Sequence, residues 1–345
     1  MPTTAPTMKE IAKQLGVSVT TVSRALQNHP RIGLRTREQV QELVRKLGYL
    51  PNASAISLKK RRTFNIGVVV PALTEQFFSL ALSGIEDAAM PQGYSVLVVQ
   101  SRNDFERERA AVTSLVKHGV DGIIVSVASQ THTYKHFDDI IRHGVPVVFF
   151  DRVIKRPTSS CVYSDITAGA FQAVAFLIGR GLTRIALLNG PSTLQATDER
   201  LRGYVDALRQ HAVPVDIRYI KGVNLAREDT VKKTHELLSL PDPPQAILAF
   251  HDYVALDAMQ VCKQRGLRIN HDICFVSFSN LSFCAYLDHP PIASIEQFPH
   301  EMGEKAAQIL LGSLEDPAGS PRQEVVIPSK LVVREGGGVP APAAT

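Results

Sequence analysis

Ile11-Ala12-Lys13-Gln14-Leu15-Gly16-Val17-Ser18-Val19-Thr20-Thr21-Val22-Ser23-Arg24-Ala25-Leu26 decides how this chain is read. Ile11, Ala12 and Leu15 fall on one helical face, and Gly16 is the residue that can end that helix in the left-handed conformation. Thr7 and Glu10, three apart before the apolar pair, form a capping box. Ser18 can cap a second helix, in which Val22 and Leu26 point inward. Val19, Thr20, Ser23, Arg24 and Gln27 share the outer face. Two short helices joined by a tight turn are the helix-turn-helix pattern. The outer face carries one long cation, one apolar contact and small hydroxyls, which suits a major groove: Arg can reach two acceptors of a guanine, and Val or a Thr methyl can touch a thymine methyl. The hydroxyls of Thr21 and Ser23 suit phosphate oxygens.

Outward from this stretch, Val40, Leu43, Val44 and Leu47 step by three and four and predict a third helix that completes a small core and ends at Gly48. Gly33 and the Thr36–Gln39 pair can each cap its start. Charge follows the same division. Residues 1–62 hold 12 Lys and Arg against 3 Glu and no Asp, a balance of +9, and the remainder balances at −4. A basic head on a mildly acidic body fits a nucleic-acid-binding head on a sensor.

From Phe64 the pattern changes to short apolar runs alternating with helical stretches. Strands are expected at 66–70, 95–99, 122–125 and 146–150, with helices at 80–90, 106–117 and near 137–143. A second set follows: helices at 168–178, 199–210, 228–238 and 255–265, and strands at 184–188, 218–220 (weak), 246–250 and 274–278. A short strand at 292–295, a helix at 302–311 and one extended segment at 324–333 close the chain. Continuous apolar strands separated by helices predict two doubly wound, Rossmann-like α/β subdomains. Ligands of such sheets sit beyond the carboxyl ends of the strands. Phe77, Phe78, Asp151, Arg200, His251, Asp252, Ser279 and Gln297 are therefore the candidate effector-binding residues. Aromatic faces with a few carboxylates, amides and an Arg suit a small polyol or sugar.

Other classes find less support. There is no Gly-x-Ser-x-Gly, no Walker loop and no Gly-x-Gly-x-x-Gly after a strand, so an enzyme is not expected. Cys161, Cys262, Cys274 and Cys284 form no Cys-x-x-Cys pair, and His132 and His136 have no further ligand cluster, so neither metal nor cofactor is expected. No stretch approaches the roughly 20 apolar residues of a membrane span, and the N-terminus has no secretory pattern. A cytoplasmic protein without a membrane partner is expected, rather than a transport receptor.

The run Ile11-Ala12…Gly16-Val17-Ser18…Thr21-Val22-Ser23-Arg24-Ala25-Leu26…Thr36-Arg37…Leu47-Gly48-Tyr49…Pro51-Asn52-Ala53…Ser57-Leu58 resembles the LacI/GalR family of bacterial transcription regulators. The likeness continues through Ile66–Pro71, Val120-Asp121-Gly122, Pro146–Arg152, Glu199-Arg200-Leu201-Arg202-Gly203-Tyr204 and Met302-Gly303, over about residues 7–334. It implies that Val19, Thr20 and Arg24 read bases in the major groove, and that Thr7, Ser18, Thr21, Ser23 and Asn28 contact the DNA backbone. Asn52, Ala55 and Leu58 match a hinge helix whose leucine wedges into the minor groove. The body is similar to type I periplasmic sugar-binding proteins, and Asp151, Arg200 and Gln297 match effector-holding positions. Three positions depart from the pattern. Ile56 stands where many members carry Arg, His251-Asp252 replaces the usual Asn-Asp, and Ser279 stands where Asp is frequent.

The expected organisation is a helix-turn-helix domain at 1–50, hinge and linker at 51–63, an effector and dimerisation domain at 64–334, and a disordered tail at 335–345. Within the body the N-subdomain is expected at about 64–161 and 292–320, and the C-subdomain at about 162–291 and 321–334. The expected function is a repressor controlled by a small molecule, a sugar or sugar derivative in the first reading and a nucleoside, purine or other non-sugar metabolite in the second. A homodimer on a pseudo-palindromic operator follows from the small contact one helix-turn-helix makes.

Overall fold

The computed structural model describes residues 6–49, 62–154, 159–317 and 319–334. It divides into two compact units, residues 1–63 and 64–345.

The small unit holds α1 (Met8–Leu15), α2 (Val19–Leu26) and α3 (Leu34–Leu47). Thr7 and Glu10 close the capping box on α1, and Gly16 ends it at φ 64°. Ser18 accepts from Thr21 N at 3.0 Å and caps α2. Gly33 is the N-cap of α3, without a side-chain hydrogen bond, and Gly48 ends that helix at φ 62°. Ile11, Ala12, Val22, Ala25, Val40 and Tyr49 form the buried core.

The large unit contains two six-stranded sheets. In chain order it comprises β1 (Asn65–Val70), α4 (Gln76–Ala89), β2 (Ser95–Gln100), α5 (Phe105–Lys117), β3 (Gly122–Val125), α6 (Lys135–Arg142), β4 (Val147–Phe150) and β5 (Ser160–Ser164). These are followed by α7 (Ile166–Ile178), β6 (Ile185–Asn189), α8 (Gln195–Gln210), β7 (Ile220–Gly222), α9 (Arg227–Leu238), β8 (Ala246–Ala249), α10 (Asp252–Gln264) and β9 (Cys274–Phe278). The chain finishes with β10 (Ala293–Glu296), α11 (Pro299–Glu315), β11 (Glu324–Ile327) and β12 (Lys330–Val333). The sheet orders are β11-β5-β4-β3-β1-β2 and β12-β10-β9-β8-β6-β7. Every pairing is parallel except β10 with β12.

This topology corrects the expected subdomain boundaries. β5, a strand the sequence reading omitted, completes the first sheet, so the chain first crosses at Asp165, the N-cap of α7, and not after residue 161. β10 belongs to the second sheet, because Ala293 and Ile295 pack into that core and pair with Val276 and Phe278 of β9. The return crossing is therefore at Gln297 and Phe298, not before residue 292. The extended segment expected at 324–333 is two strands. β11 joins the first sheet and sends Ile327 into its core, Pro328-Ser329 crosses, and β12 joins the second sheet. Three separate segments thus connect the lobes.

Two glycines set close helix contacts. A Cβ at Gly303 would lie 2.0 Å from Ala81 O, which locks α11 onto α4 in the first lobe. One at Gly203 would lie 2.1 Å from Thr167 O, between α8 and α7 in the second lobe. No helix among the described residues is long and apolar enough to cross a membrane.

Candidate functional sites

Helix α2 is the first site. Val22 and Ala25 anchor it in the core, which leaves Val19, Thr20 and Arg24 exposed on the outward face. Val19 is 41% exposed. Ser18 and Asn28 are exposed and Thr21 and Ser23 are partly buried, in and around the same helix. Thr7 and Ser18 also serve as caps, and the hydroxyls of Ser18 and Thr21 lie 2.9 Å apart. Asn28 takes φ 52° and accepts from Gln41 Nε2 at 3.2 Å, which fixes it beside α3. Asn52, Ala55 and Leu58 lie outside the described residues.

The second site is the cleft between the two lobes of the large unit. Its inner chamber, about 50 Å³, is lined by Phe77, Phe78, Asp151, Arg200, His251, Ser279 and Gln297, so seven of the eight expected residues meet there. They come from strand ends and helix starts of both sheets. Glu75, Arg152 and Phe250 join them, together with Ile166, Leu194 and Ala196.

Arg200 dominates the chamber. It is 2% exposed, and its guanidinium sits between the rings of Phe250 and Phe278, 4.1 and 4.2 Å from the centroids. The two rings supply cation–π attraction in place of water. One Nη donates to Ala196 O at 3.1 Å, while Nε has no hydrogen-bond partner. Burial pulls its pKa down to about 9, opposed by the charges of Asp151 and Glu199, so Arg200 remains a cation at neutral pH. Asp151 faces it from the other lobe. Its backbone takes φ 58°, and its carboxylate accepts from Ser126 Oγ at 3.2 Å and lies 3.9 Å from Arg152 Nε. Burial raises the Asp151 pKa above its ordinary value, with Arg152, Ser126 and Arg200 opposing. Burial likewise raises that of Glu75, with Arg152 opposing.

His251 is the N-cap of α10, and its Nδ1 accepts from Val254 N at 3.2 Å. Burial drives its pKa down to about 4. The ring is neutral at pH 7, and because Nδ1 accepts, its proton sits on Nε2.

Asp252 requires a correction, since it does not line the cleft. It is wholly buried, and its carboxylate accepts from Leu281 N at 2.6 Å, from Ser277 Oγ and from Ser294 Oγ at 3.4 Å. It holds the segment after β9 in place, including Ser279 at φ 87°. Phe77, Phe78 and Arg200 also sit deeper in their helices than expected, because α4 begins at Gln76 and α8 at Gln195.

A larger outer chamber of about 340 Å³ shares Asp151, Arg152, Ile166, Leu194 and Ala196 with the inner one. Its remaining wall comes from residues 127–134, 153–154, 163–164 and 193–199. The sequence reading missed this chamber, together with Glu75 and the Phe250–Phe278 sandwich. The signal for the sandwich was slight: both phenylalanines end apolar strands and look like ordinary core. Elsewhere, His136 Nε2 pairs with Glu108 Oε1 at 3.1 Å and the His132 ring lies tilted against Phe105. All four cysteines are buried.

Both units of the chain match known protein families. Residues 7–52 match the family described as bacterial regulatory proteins, lacI family, and residues 63–335 match periplasmic binding proteins and sugar binding domain of LacI family. The HTH-type transcriptional repressor CytR of Escherichia coli (strain K12) is 32% identical over 90% of this chain and 91% of its own. The HTH-type transcriptional repressor PurR of Vibrio vulnificus (strain CMCP6) is 31% identical over 95% and 98%. A lac repressor dimer, bound to operator and the anti-inducer ONPF, superposes with a TM-score of 0.83 at 25% identity, covering 96% of this chain and 98% of that one.

Proposed function

The chain belongs to the LacI family of bacterial regulatory proteins, and from that premise we propose that α2 reads an operator while a small polyhydroxylated effector in the cleft sets operator affinity. The observation that carries the reading is the outward face of α2. Val19, Thr20 and Arg24 stand exposed on a helix fixed from behind by Val22 and Ala25. Val19, Thr20 and Arg24 are assigned to base edges, and Thr7, Ser18, Thr21, Ser23 and Asn28 to the backbone. Asn52, Ala55 and Leu58 are assigned to the minor groove on the family likeness alone. In the cleft, Asp151, Arg152, Arg200, His251 and Gln297 supply polar contacts and Phe77 and Phe78 an aromatic wall.

The working form is a homodimer. Edge strand β2 leaves Leu97 and Val98 exposed, and α4 leaves Leu80. Exposed apolar side chains on an edge strand and its neighbouring helix favour association with a second copy. The chain acts by binding, not by turnover.

Selection of DNA from a random library, followed by footprinting, tests the proposal. The expected result is a near-palindrome with two half-sites, protected by full-length protein and not by protein lacking residues 1–62. A selected pool without sequence preference would overturn it.

A further inference from the structure

We propose that Asn103 and Glu108, which line neither chamber of the cleft, are its positioning residues: they hold the wall at residues 126–131 and the Arg152 guanidinium, and so set effector affinity without touching the effector. This rests on the effector reading above, with the added residues acting from behind the site.

The wall is irregular backbone packed beside the cleft, so each of its N–H groups needs a named acceptor. Residues 126–131 follow β3 without forming helix or strand, and Val127, Ala128 and Thr131 line the larger chamber. Ser126 N donates to Val69 O at 3.0 Å, Val127 N to Arg152 O at 3.1 Å and Thr131 N to Ala128 O at 3.1 Å. The others go to Asn103 and Glu108. Ala128 N donates to Glu108 Oε2 at 2.6 Å, Ser129 N to Asn103 Oδ1 at 3.3 Å and Gln130 N to Asn103 O at 3.3 Å. Glu108 sits on α5, wholly buried, and a buried carboxylate is tolerated only when its oxygens are hydrogen-bonded. It also accepts from Thr131 Oγ1 at 2.7 Å and pairs with His136 Nε2 at 3.1 Å. These partners all belong to residues 128–136, so the carboxylate organises that one stretch.

Asn103 adds the link to the charged part of the cleft. Arg102 and Asn103 take φ 53° and 61°, successive left-handed residues without a glycine. Such backbone persists only where its surroundings hold it, and it gathers at functional sites. Here it presents both Asn103 oxygens to the wall, and Oδ1 accepts from Arg152 Nη1 as well as from Ser129 N. The same guanidinium lies 3.9 Å from Asp151 at Nε and 5.7 Å from the Phe78 ring centroid. Ser126 Oγ donates to Asp151 Oδ2 at 3.2 Å, so the wall also steadies the neighbouring carboxylate. Asp151 and Arg152 line both chambers. A long side chain already held in its bound direction loses little freedom when a ligand arrives, and the smaller loss appears as affinity.

Calorimetry, thermal melts and amide hydrogen exchange on the full-length protein test this. The binding probes are D-ribose, D-glucose, cytidine and adenosine, and the one that binds the parent protein most tightly is carried to the variants. Asn103→Gly removes Oδ1 and is at ease in the left-handed turn, so its melting temperature should stay within about 2 °C of the parent. Its affinity for the probe should fall roughly ten-fold, with faster exchange at Ser129. Asn103→Asp keeps the acceptor and tolerates the same turn, and should restore affinity to within about three-fold of the parent. Glu108→Ala should weaken probe binding at least as much and speed exchange across 126–131; if that variant fails to fold, the Asn103 pair decides. Parent-like affinity in Asn103→Gly, whatever its melting temperature, makes the residue merely structural and overturns the positioning role. Silence from all four probes on the parent overturns the polyhydroxylated-effector reading, and the wall assignment is then decided by exchange alone: acceleration confined to 126–131 in Asn103→Gly supports it, and unchanged exchange overturns it.

Discussion

Replacing Asp252 by Ala distinguishes a ligand contact from a structural hub. The sequence places Asp252 at a strand end, beside His251 and the cleft. The structure buries it completely and surrounds its carboxylate with Leu281 N–H, Ser277 Oγ–H and Ser294 Oγ–H. Alanine strands the Leu281 N–H, which cannot turn away, while the two hydroxyls can re-pair with each other at 3.2 Å. One buried donor left unsatisfied costs about 1–3 kcal/mol, and losing the charge-assisted bonds adds about 1 kcal/mol more. Desolvation already raises the Asp252 pKa, so removing the charge returns part of this. The net expectation is roughly 2–3 kcal/mol. At about 2 °C per kcal/mol for a body of this size, the melting temperature falls by roughly 4–6 °C. Asp252→Asn, which keeps an acceptor for Leu281 N–H and can donate to Ser277, should lose less than half of that. Thermal melts of the purified variants, each with and without a binding probe, read both quantities. If Asp252→Ala melts within 1 °C of the parent but loses its response to ligand, Asp252 is a ligand contact and the hub assignment is wrong.

Three further outcomes follow. Arg24→Ala should weaken operator binding by roughly 1–3 kcal/mol and relax preference at one base position per half-site, read by gel shift on a set of single-base operator variants; an equal loss on every sequence would make Arg24 a phosphate contact. Arg200→Met should abolish ligand-induced stabilisation, yet leave the unliganded melting temperature unchanged or slightly higher, because an apolar chain between Phe250 and Phe278 avoids burying a cation; a drop of several degrees would give Arg200 a structural role instead. His251 has a folded pKa of about 4, below its ordinary 6.5, so the unfolded chain takes up a proton first as pH falls. Its contribution to stability is complete above pH 6.5 and is lost progressively down to about pH 4. His251→Asn keeps a good N-cap without that titration, so its melting temperature relative to the parent should rise from pH 7 to pH 4. Asp151, Asp252 and Glu75, with raised pKa values, act in the opposite sense in both proteins and cancel in the comparison. A pH-independent difference would refute the buried neutral imidazole.

What the sequence made legible was local. The helix-turn-helix follows from Thr7, Gly16 and Ser18, whose capping chemistry is complete within four residues of chain. The alternation of strands and helices follows from apolar runs buried on both faces. Membership of a sheet is not local. Ala293–Glu296 reads equally well as a strand of either lobe, and only its pairing with Val276 and Phe278 decides. Ser160–Ser164 was missed because serines bound it and its pairing depends on β4 and on β11, which lies about 160 residues later. Asp252 shows a different limit. Adjacent residues at a helix start point about 100° apart, so His251 can face the cleft while Asp252 turns inward, and strand-end position alone cannot separate them. Phe250 and Phe278 carried no signal beyond being apolar, and their role appears only once Arg200 lies between them.

The placement of charge explains how this cleft can sense its own closure. Asp151, Arg152 and Glu75 belong to the first lobe, and Arg200 and His251 to the second. The attraction of Arg200 for Asp151 therefore acts across the cleft, between lobes joined by three crossing segments. At the rim Gln76 Nε2 donates to Ser282 Oγ at 2.6 Å, and Ser282 N donates to Gln76 Oε1 at 3.2 Å, so α4 of one lobe is tied to the segment after β9 of the other. Asp252 holds that same segment through Leu281 N. A ligand that satisfies Arg200 Nε from the first-lobe side adds to this closing set only when the lobes are together. It thus binds one lobe pose better than the other, and that difference, about 1–3 kcal/mol in coupled systems, is all it can transmit. The first strand of the lobe begins at Asn65, two residues after the boundary with the DNA-reading unit, and Phe64 N donates to Asp121 Oδ2 at 2.8 Å. The start of the large unit is thereby fixed to the first lobe.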